Sequence, residues 1–349
     1  MSQLRQYVSP VGFQVKIKLN DPKNRVNLVW TTDWHLSDVP PGRRKDDYRQ
    51  ALLDKLAFVC GLTEKLNGAA LCGGDVFHHK KPSHNGNSLR LIIQLIGALR
   101  RFPHERVFGS VGNHDISYDR MDSLPRQPLG LLMEVGAYHN LNRETVFFTN
   151  QDESVKVSVE TFPYAEGAET IQNILNVGPR QLGVTYRIGI VHAYGHPGNA
   201  GDMFGTRTIG YNELEGNDFD ILLWGHDHSR HGVEEVGKTT HVNLGSMARA
   251  AFSYDEVDRP VVAAILSFQP DGTWQYGEKP IPVKPIEQVF ASADKGVETV
   301  AKSEEIANFF EDMDEAVSGI EVSDPRTVIH ELCSDDAKLE SLILEVCDL

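Results

Sequence analysis

The sequence Leu71-Cys-Gly-Gly-Asp-Val-Phe-His78 places a carboxylate, Asp75, where a short apolar run ends in two glycines. Such a run predicts a buried strand of an α/β sheet, and α/β sheets keep their ligand sites at the carboxyl ends of their strands. A carboxylate at that point can supply an oxygen that bridges metal ions. The stretch therefore predicts an α/β fold with a metal-binding residue at the carboxyl edge of a sheet.

Four further segments repeat this pattern, in which an apolar run is followed by Asp, Asn or His. They are residues 27–35, 107–115, 188–192 and 221–228. Because the carboxyl ends of parallel strands meet at one edge of a sheet, the side chains that follow them are expected to lie together. Five strand ends that carry metal-ligand chemistry make a binuclear metal centre the first hypothesis.

The length and composition bound the class of protein. A chain of 349 residues accommodates one large domain and a small appendage. No window approaches the ~18 consecutive apolar residues that span a bilayer, and the N-terminus lacks the apolar core of a secretory signal. Of the four cysteines, Cys60 and Cys72 lie in apolar settings that predict reduced core thiols. We therefore expect a cytoplasmic protein with no membrane association.

The net charge of −15 is concentrated in the last part of the chain. Residues 301–349 contain 14 acidic and 3 basic side chains, so the first 300 residues have a net charge of only −4. This distribution argues against capture of nucleic acid by overall charge. It leaves a polyanionic substrate open, because bound divalent ions would neutralise several of the acids.

The order of predicted elements defines the domain organisation. Strands alternate with amphipathic helices near residues 46–66 and 89–99, which predicts a layered α/β fold with right-handed crossovers. We predict a two-sheet α/β domain over residues 1–270, flanked by helices, and a proline-containing connector over 271–300. An acidic helical appendage, with helices near 301–317 and 335–346, is predicted to complete the chain.

Two pairs of residues carry the strongest metal-ligand spacing. Asp33 and His35 flank one residue, as do His226 and His228, so each pair shares a face in an extended segment. Imidazole together with carboxylate suits Mn²⁺, Fe²⁺ or Zn²⁺. A capping aspartate beside a surface histidine would explain Asp33 and His35 if that pair stood alone. The pair His226 and His228 directly follows the apolar run 221–225, which makes coincidence a weaker explanation.

Three other residues are ambiguous when each is taken alone. Asn113 and His114 follow a glycine, where a turn is the ordinary explanation, and His192 ends an apolar strand, where a hydrogen-bonded core histidine is common. The motifs occur together, and all of them follow predicted strands. This combination favours the metal centre over the separate explanations.

The motifs together resemble the five-motif signature of calcineurin-like metallophosphoesterases. The resemblance implies one metal ion held by Asp33, His35 and His228, and a second held by Asn113, His192 and His226. It implies that Asp75 bridges both ions. His114 would be an unliganded histidine near the leaving group.

A finer resemblance concerns Asp75-Val-Phe-His78, Lys81-Pro-Ser83 and Gly245-Ser246. These runs are similar to those of SbcD-type DNA-repair nucleases, including compact phage-encoded relatives. The resemblance implies a nuclease (exonuclease or endonuclease) of DNA recombination or repair, with His78 near the scissile phosphate. It implies two divalent ions, Mn²⁺ first, with Fe²⁺, Zn²⁺ and Mg²⁺ as alternatives, and an SbcC-type ATPase as partner.

Two other functions remain open from the sequence. One is a small-molecule phosphodiesterase or phosphatase with the same metal chemistry, and the other is a metal-loaded scaffold that binds DNA ends for an ATPase. We expect the apolar face of the acidic tail to pack on its own domain, on a second copy in a homodimer, or on the ATPase.

Four basic residues are candidates for binding the phosphodiester backbone near the mouth of the site. They are Arg43, Arg44, Lys80 and Lys81. Solvated loop charge explains them equally well.

Overall fold

The computed structural model describes residues 15–291, apart from 84–85, 144, 166, 199–201, 204–205 and 251–258. The predicted helices near 301–317 and 335–346 therefore lie outside the described residues, as do Cys333 and Cys347. The strands are β1 Val15–Lys18, β2 Val26–Thr31, β3 Ala69–Cys72, β4 Val107–Gly109, β5 Tyr138–Asn140, β6 Val146–Thr149, β7 Lys156–Phe162, β8 Tyr186–Ala193, β9 Gly195–His196, β10 Asp202–Met203, β11 Thr206–Arg207, β12 Ile209–Gly210, β13 Ile221–His226, β14 Gly232–Val236, β15 Thr239–Asn243, β16 Val262–Phe268 and β17 Trp274–Pro280.

In the part of the chain that the structure describes, helices are fewer than strands, and most of them lie before residue 176. They are α1 Tyr48–Lys65, α2 Leu89–Leu99, α3 Pro128–Glu134, α4 Ile171–Leu175 and α5 Ile286–Val289. Short 3₁₀ turns lie at Pro103–Glu105, Asn113–Asp115, Met121–Arg126, Leu141–Arg143 and Tyr211–Leu214. Among the described residues, no helix has both the length and the apolar character needed to cross a membrane.

Most of these strands form two large sheets, while β9 pairs with β12 and β10 with β11 in two small ones. The seven-stranded sheet has the order β1-β6-β7-β8-β13-β15-β14, and the six-stranded sheet has the order β17-β16-β2-β3-β4-β5. Strands β2, β3 and β4 run parallel, as do β8 and β13. The carboxyl ends of the motif-bearing strands in each sheet therefore lie at one edge. The prediction of a two-sheet layered α/β fold is confirmed.

The two sheets pack face to face through an apolar core. Trp30 and Phe108 of the six-stranded sheet belong to the same buried cluster as Ile188 and Leu223 of the seven-stranded sheet. Every residue of β2 and of β8 is buried. Burial on both faces explains why these strands occur in the sequence as continuous apolar runs and not as alternating patterns.

The first two helices form where local caps and apolar spacing agree. The Asp47 side chain accepts a hydrogen bond from the Gln50 N–H at the start of α1, and the Ser88 side chain accepts one from the Leu91 N–H at the start of α2. Leu52 and Leu56 on one face of α1 pack into the cluster on the outer side of the six-stranded sheet. These helices fix the loops that follow β2 and β3.

The first compact unit of the chain extends to Ala291, beyond the predicted boundary at residue 270. Within the predicted connector, β17 pairs antiparallel with β16 over its full length and forms an edge of the six-stranded sheet. This segment has few apolar residues because an edge strand is half exposed, so its sequence lacks a strong strand pattern.

Candidate metal centre

The residues named by the sequence motifs converge at the carboxyl edges of the two sheets. Asp33 and His35 follow β2, Asp75 follows β3, and Asn113 lies four residues beyond β4. The candidate ligands from the seven-stranded sheet lie at the carboxyl ends of β8 and β13. The backbone N–H of His226 donates to the Asp33 carboxylate at 3.1 Å, so the two sheets are joined directly at the site.

Four of the candidate ligands have left-handed backbone conformations, although none is glycine. The φ angles are 52° at Asp33, 45° at His35, 50° at Asp75 and 83° at His226. Left-handed non-glycine residues cost of order 1–3 kcal/mol each and concentrate at functional sites. Sequence patterns contained no sign of these conformations, because turns of this kind usually contain glycine or asparagine.

Asp75 occupies the centre of the site, and its two oxygens have different partners. Oδ1 accepts a hydrogen bond from the His114 backbone N–H at 2.8 Å. Oδ2 lies 3.6 Å from His35 Nε2 and 3.3 Å from His192 Nε2. A side chain on Gly112 would place its Cβ 2.0 Å from Oδ1, so only glycine fits beside this carboxylate. One oxygen is therefore held by the backbone while the other faces imidazoles from both sheets.

The first ligand cluster consists of Asp33, His35, Asp75 and His228, whose donor atoms lie within 4.8 Å of one another. His35 Nε2 and His228 Nε2 are 2.9 Å apart, and His228 Nε2 is 4.0 Å from Asp33 Oδ1. The Thr32 hydroxyl donates to Asp33 Oδ2 at 2.6 Å, which orients the carboxylate. This set of two imidazoles and two carboxylates has the composition expected for Mn²⁺, Fe²⁺ or Zn²⁺.

The second ligand cluster combines Asp75 with His192 and His226. Asn113 Oδ1 joins it at 2.9 Å from His226 Nδ1 and 3.3 Å from His192 Nε2. His192 Nδ1 donates to the Gly73 carbonyl oxygen at 2.8 Å, which leaves Nε2 facing the cluster. Donor chemistry and orientation therefore fit a second divalent ion, with Asp75 common to both clusters.

The electrostatics of the two clusters favour neutral imidazoles, with one exception. Burial and the neighbouring His228 hold the pKa of His35 well below its usual value, and burial and His192 lower the pKa of His226 to about 3. Burial opposes the charge of His192 as well, but the carboxylates of Asp75 and Asp33 outweigh it and raise its pKa to about 9. Only a neutral imidazole binds metal, so an ion entering the second cluster displaces a proton from His192.

His114 lies beside the clusters and is oriented by the backbone. Its Nδ1 donates to the His78 carbonyl oxygen at 2.7 Å, which directs Nε2 away from that contact. The ring packs edge-on against His35 at 4.8 Å and parallel to His78 at 5.7 Å between ring centroids. The predicted pair His78 and His114 is thus adjacent to the first cluster.

Asp115 contributes a clamp to which the sequence motif alone assigned no role. Its buried carboxylate accepts hydrogen bonds from the backbone N–H groups of Val76 and Gly112, both at 3.0 Å. Burial and the charge of Asp75 raise the pKa of Asp115 to about 7. The clamp ties the loop after β3 to the loop after β4, and so positions both Asp75 and Asn113.

Of the four basic candidates for substrate binding, Arg44 is buried, and its charge is paired within the protein. It is only 8% exposed, forms a bidentate pair with Asp46 at 2.8 and 2.9 Å, and donates to the Arg249 carbonyl oxygen. Its guanidinium also stacks over the Tyr48 ring at 4.5 Å. Arg44 is therefore a packing residue, because its charge is already paired inside the domain.

The other three basic candidates have more exposed side chains. Arg43 and Lys80 are half-buried, and Lys81 is exposed. Lys80 and Lys81 follow His78 in a loop that the buried Asn87 side chain ties together by donating to the carbonyl oxygens of residues 79 and 81. Their predicted role in phosphate binding stays a prediction.

Two aromatic residues beside the second cluster were not identified from the sequence. The Tyr194 and Tyr164 rings lie 4.2 Å and 5.2 Å from the His226 ring. Each closely follows a strand at the ligand-bearing edge, which is the signal that could have identified them. His196, in the glycine-rich loop after β8, packs against His231 at 5.2 Å and belongs to neither ligand cluster.

Comparisons with known proteins agree with this geometry at the level of the family. Residues 26–230, more than half of the chain, match the family model described as calcineurin-like phosphoesterase. A search of curated proteins finds no match.

Solved structures that are similar to this chain include two bacterial proteins. A 5′-nucleotidase precursor from Thermus thermophilus has 14% identity and a TM-score of 0.41, covering 83% of this chain and 59% of its own. A conserved uncharacterized protein, a predicted phosphoesterase from Streptococcus pneumoniae, has 11% identity and a TM-score of 0.28, covering 73% of this chain and 98% of its own. The chain thus spans somewhat more than half the length of the nucleotidase precursor.

Proposed function

The chain belongs to the calcineurin-like phosphoesterase family, whose members hydrolyse phosphoester bonds, and we propose that it is a Mn²⁺-dependent nuclease acting on DNA. The observation that carries the proposal is the position of Asp75, whose Oδ2 faces His35 at 3.6 Å and His192 at 3.3 Å. A carboxylate shared by two ligand clusters is the arrangement that two-metal phosphoester hydrolysis needs.

Each ligand cluster contains the residues that would hold one of the two metal ions. Asp33, His35 and His228 would hold one ion, Asn113, His192 and His226 would hold the other, and Asp75 would contact both. When bound, such a pair of ions activates water for attack and neutralises the charge that develops on the phosphoryl oxygens. Mixed imidazole, carboxylate and amide donors favour Mn²⁺ over Mg²⁺, which prefers oxygen ligands alone.

In this proposal His114 is the residue that transfers a proton during hydrolysis. Because its Nδ1–H is occupied by the His78 carbonyl oxygen, Nε2 is the atom that accepts or donates a proton. A protonated Nε2 beside the scissile bond would donate to the leaving oxygen of the ester. The parallel ring of His78 borders the same space and would contact the non-bridging phosphate oxygens.

Two features support DNA as the substrate. The run Asp75-Val-Phe-His78 with Lys81-Pro-Ser83 is similar to that of SbcD-type nucleases, and the ring of its histidine stacks against His114. Lys80 and Lys81 lie two and three residues after His78, where contacts to a phosphodiester backbone would position a strand without reading its sequence.

A nuclease assay on end-labelled duplex and single-stranded DNA, with and without Mn²⁺, tests the proposal. The same preparations are assayed on bis-p-nitrophenyl phosphate and on cyclic nucleotides. We expect Mn²⁺-dependent cleavage of DNA and a slower hydrolysis of the small diester. Hydrolysis of small diesters without any cleavage of DNA would replace the nuclease by a small-molecule phosphodiesterase.

Two variants make this assay specific to the site. Asp33→Asn removes a carboxylate of the first cluster and should abolish cleavage of both DNA and the small diester. His104→Asn is the matched control, because His104 precedes β4 at the opposite end of that strand. Cleavage that survives in Asp33→Asn would reveal a contaminating nuclease and remove the support for the proposal.

A further inference from the structure

Two tyrosines enclose the His226 imidazole at one end of the metal centre. Tyr194 lies edge-on to the ring at 4.2 Å, and Tyr164 lies at 5.2 Å with an angle of 36° between the planes. At the other end of the centre the rings around His35 are imidazoles, those of His78, His114 and His228. The site is therefore asymmetric, with a phenol end and an imidazole end.

The two tyrosines lie at the edge of the sheet that carries the metal ligands. Tyr164 lies two residues beyond β7, and Tyr194 directly follows β8, so both are at the carboxyl edge that carries the ligands. Both side chains are half-buried, whereas His192 near the end of β8 is fully buried. Each tyrosine ring therefore packs against a ligand histidine while part of the side chain stays accessible to solvent.

The charges around Tyr164 influence which part of a substrate can bind against its ring. The carboxylates of Asp119 and Glu169 lie close enough to Tyr164 to interact with it electrostatically. The same carboxylates repel a phosphate group that would approach this end. A neutral aromatic group is thus favoured there over a second phosphate.

A strained loop adds a further aromatic residue close to this end. Tyr118 is 56% exposed, and Tyr118 and Asp119 have left-handed backbones with φ of 55° and 51°. The loop follows the 3₁₀ turn that carries Asn113, and its Asp119 acts on Tyr164. Non-glycine residues with left-handed backbones concentrate at active sites and ligand-binding loops.

We propose that Tyr164, supported by Tyr194, is the stacking surface for the nucleobase of the nucleotide whose phosphate occupies the metal centre. The inference rests on the proposed function and names a specificity residue for it. Base stacking on an aromatic side chain contributes about 1–3 kcal/mol per base, which corresponds to about 5- to 150-fold in kcat/KM or Kd. Stacking tolerates every base, so the preference is for a nucleoside over an alkyl group and not for a sequence.

The experiment compares two diesters that share one leaving group. Thymidine 5′-(p-nitrophenyl phosphate) and methyl p-nitrophenyl phosphate both release p-nitrophenolate and differ only in the retained group. We expect wild-type protein with Mn²⁺ to prefer the thymidine ester by about ten-fold in kcat/KM, and Tyr164→Leu to lose that preference. Tyr164→Phe is the matched control and should keep it, because the ring face remains.

A binding measurement decides the same question without turnover. Calorimetry with thymidine 5′-monophosphate and with methyl phosphate should show about ten-fold tighter binding of the nucleotide to wild type and to Tyr164→Phe, but equal binding to Tyr164→Leu. An equal loss on both ligands in Tyr164→Leu would show that Tyr164 only supports His226, and would overturn the proposal. Loss of the preference in Tyr164→Phe would overturn it too, in favour of a hydroxyl contact.

Failure of the proposed function and failure of the stacking proposal give different results in this experiment. Wild-type protein that hydrolyses neither diester would contradict the proposed function, whereas hydrolysis of both at equal efficiency would contradict only the stacking surface.

Discussion

His192 and His241 are both buried in the seven-stranded sheet, yet their surroundings give them opposite protonation states. His241 stacks on Tyr211 at 4.3 Å and accepts a hydrogen bond from Trp224, and burial lowers its pKa to about 4. At the carboxyl edge, Asp75 and Asp33 outweigh the burial of His192 and raise its pKa to about 9. The comparison shows that burial alone neutralises imidazole, and that the edge is distinguished by its carboxylates.

Replacing the shared carboxylate of Asp75 should have the largest effect on metal binding and activity. It removes charge that distinguishes the carboxyl edge of the sheet from the surroundings of His241. Asp75→Asn leaves one neutral oxygen where both ligand clusters share a charge. We expect metal affinity to fall by more than the ~10–100-fold that loss of an outer-shell partner costs, and activity to fall to background. Metal content and phosphodiester hydrolysis are measured on the same preparation.

The control for this variant is Asp152→Asn, which changes an exposed carboxylate in a turn. Retention of two ions by Asp75→Asn would contradict the bridging assignment.

Removing the proton donor should have the next largest effect while leaving the metal ions in place. His114→Ala removes the imidazole beside the first cluster but keeps the backbone N–H that donates to Asp75. General acid–base groups contribute ~10²–10⁴-fold, so turnover should fall by that factor at unchanged metal content. Loss of an ion together with activity would make His114 a ligand.

A smaller effect is expected from loosening the clamp between the two loops. The backbone N–H groups of Val76 and Gly112 donate to different oxygens of Asp115, so Asp115→Asn keeps an acceptor for only one of them and loses the charge. We expect metal affinity and turnover to fall together by ~10–100-fold, the usual cost of an outer-shell change. Titration of Mn²⁺ affinity checks this, and a variant with wild-type affinity would limit Asp115 to a role in stability.

The interior histidine should give the smallest effect, visible only as a pH dependence of stability. The pKa of His241 is about 4 in the folded state and about 6.5 when unfolded, so the unfolded chain binds more protons between these values. Its contribution to the unfolding free energy is therefore complete above pH 6.5. It is lost as the pH falls toward 4, by up to about 3 kcal/mol.

Denaturant unfolding of wild type and His241→Phe between pH 7 and pH 4 measures this contribution. The stability difference between the two proteins should shift in favour of the variant as the pH falls. A difference that does not change with pH would show that the pKa of His241 is the same in the folded and unfolded states.

The sequence predicted the parts of the site that depend on local order along the chain. Asp33, Asp75 and His192 each follow or end an apolar run, and a sheet with parallel strands necessarily brings such positions to one edge. The two-sheet fold follows from the same runs. These predictions needed no knowledge of side-chain packing.

The sequence could not predict features that depend on contacts between distant residues. Arg44 has the local pattern of loop charge until the Arg249 carbonyl, far along the chain, is placed against it. Tyr164 acquires its relation to His226 only when β7 and β13 are assembled around β8. The strand β17 has too few apolar residues for its pattern to be recognised before its pairing with β16 is known.

The hydrogen bond from the His226 N–H to the Asp33 carboxylate also has a consequence for folding kinetics. This bond joins the two sheets, and each ligand cluster takes residues from both, so neither cluster is complete in a partly folded chain whose sheets have not yet packed together. Divalent ions would then bind late, and would slow unfolding by stabilising only the assembled state. Substitutions at the interface between the sheets, such as at Trp30, would thus lower metal occupancy without touching a ligand.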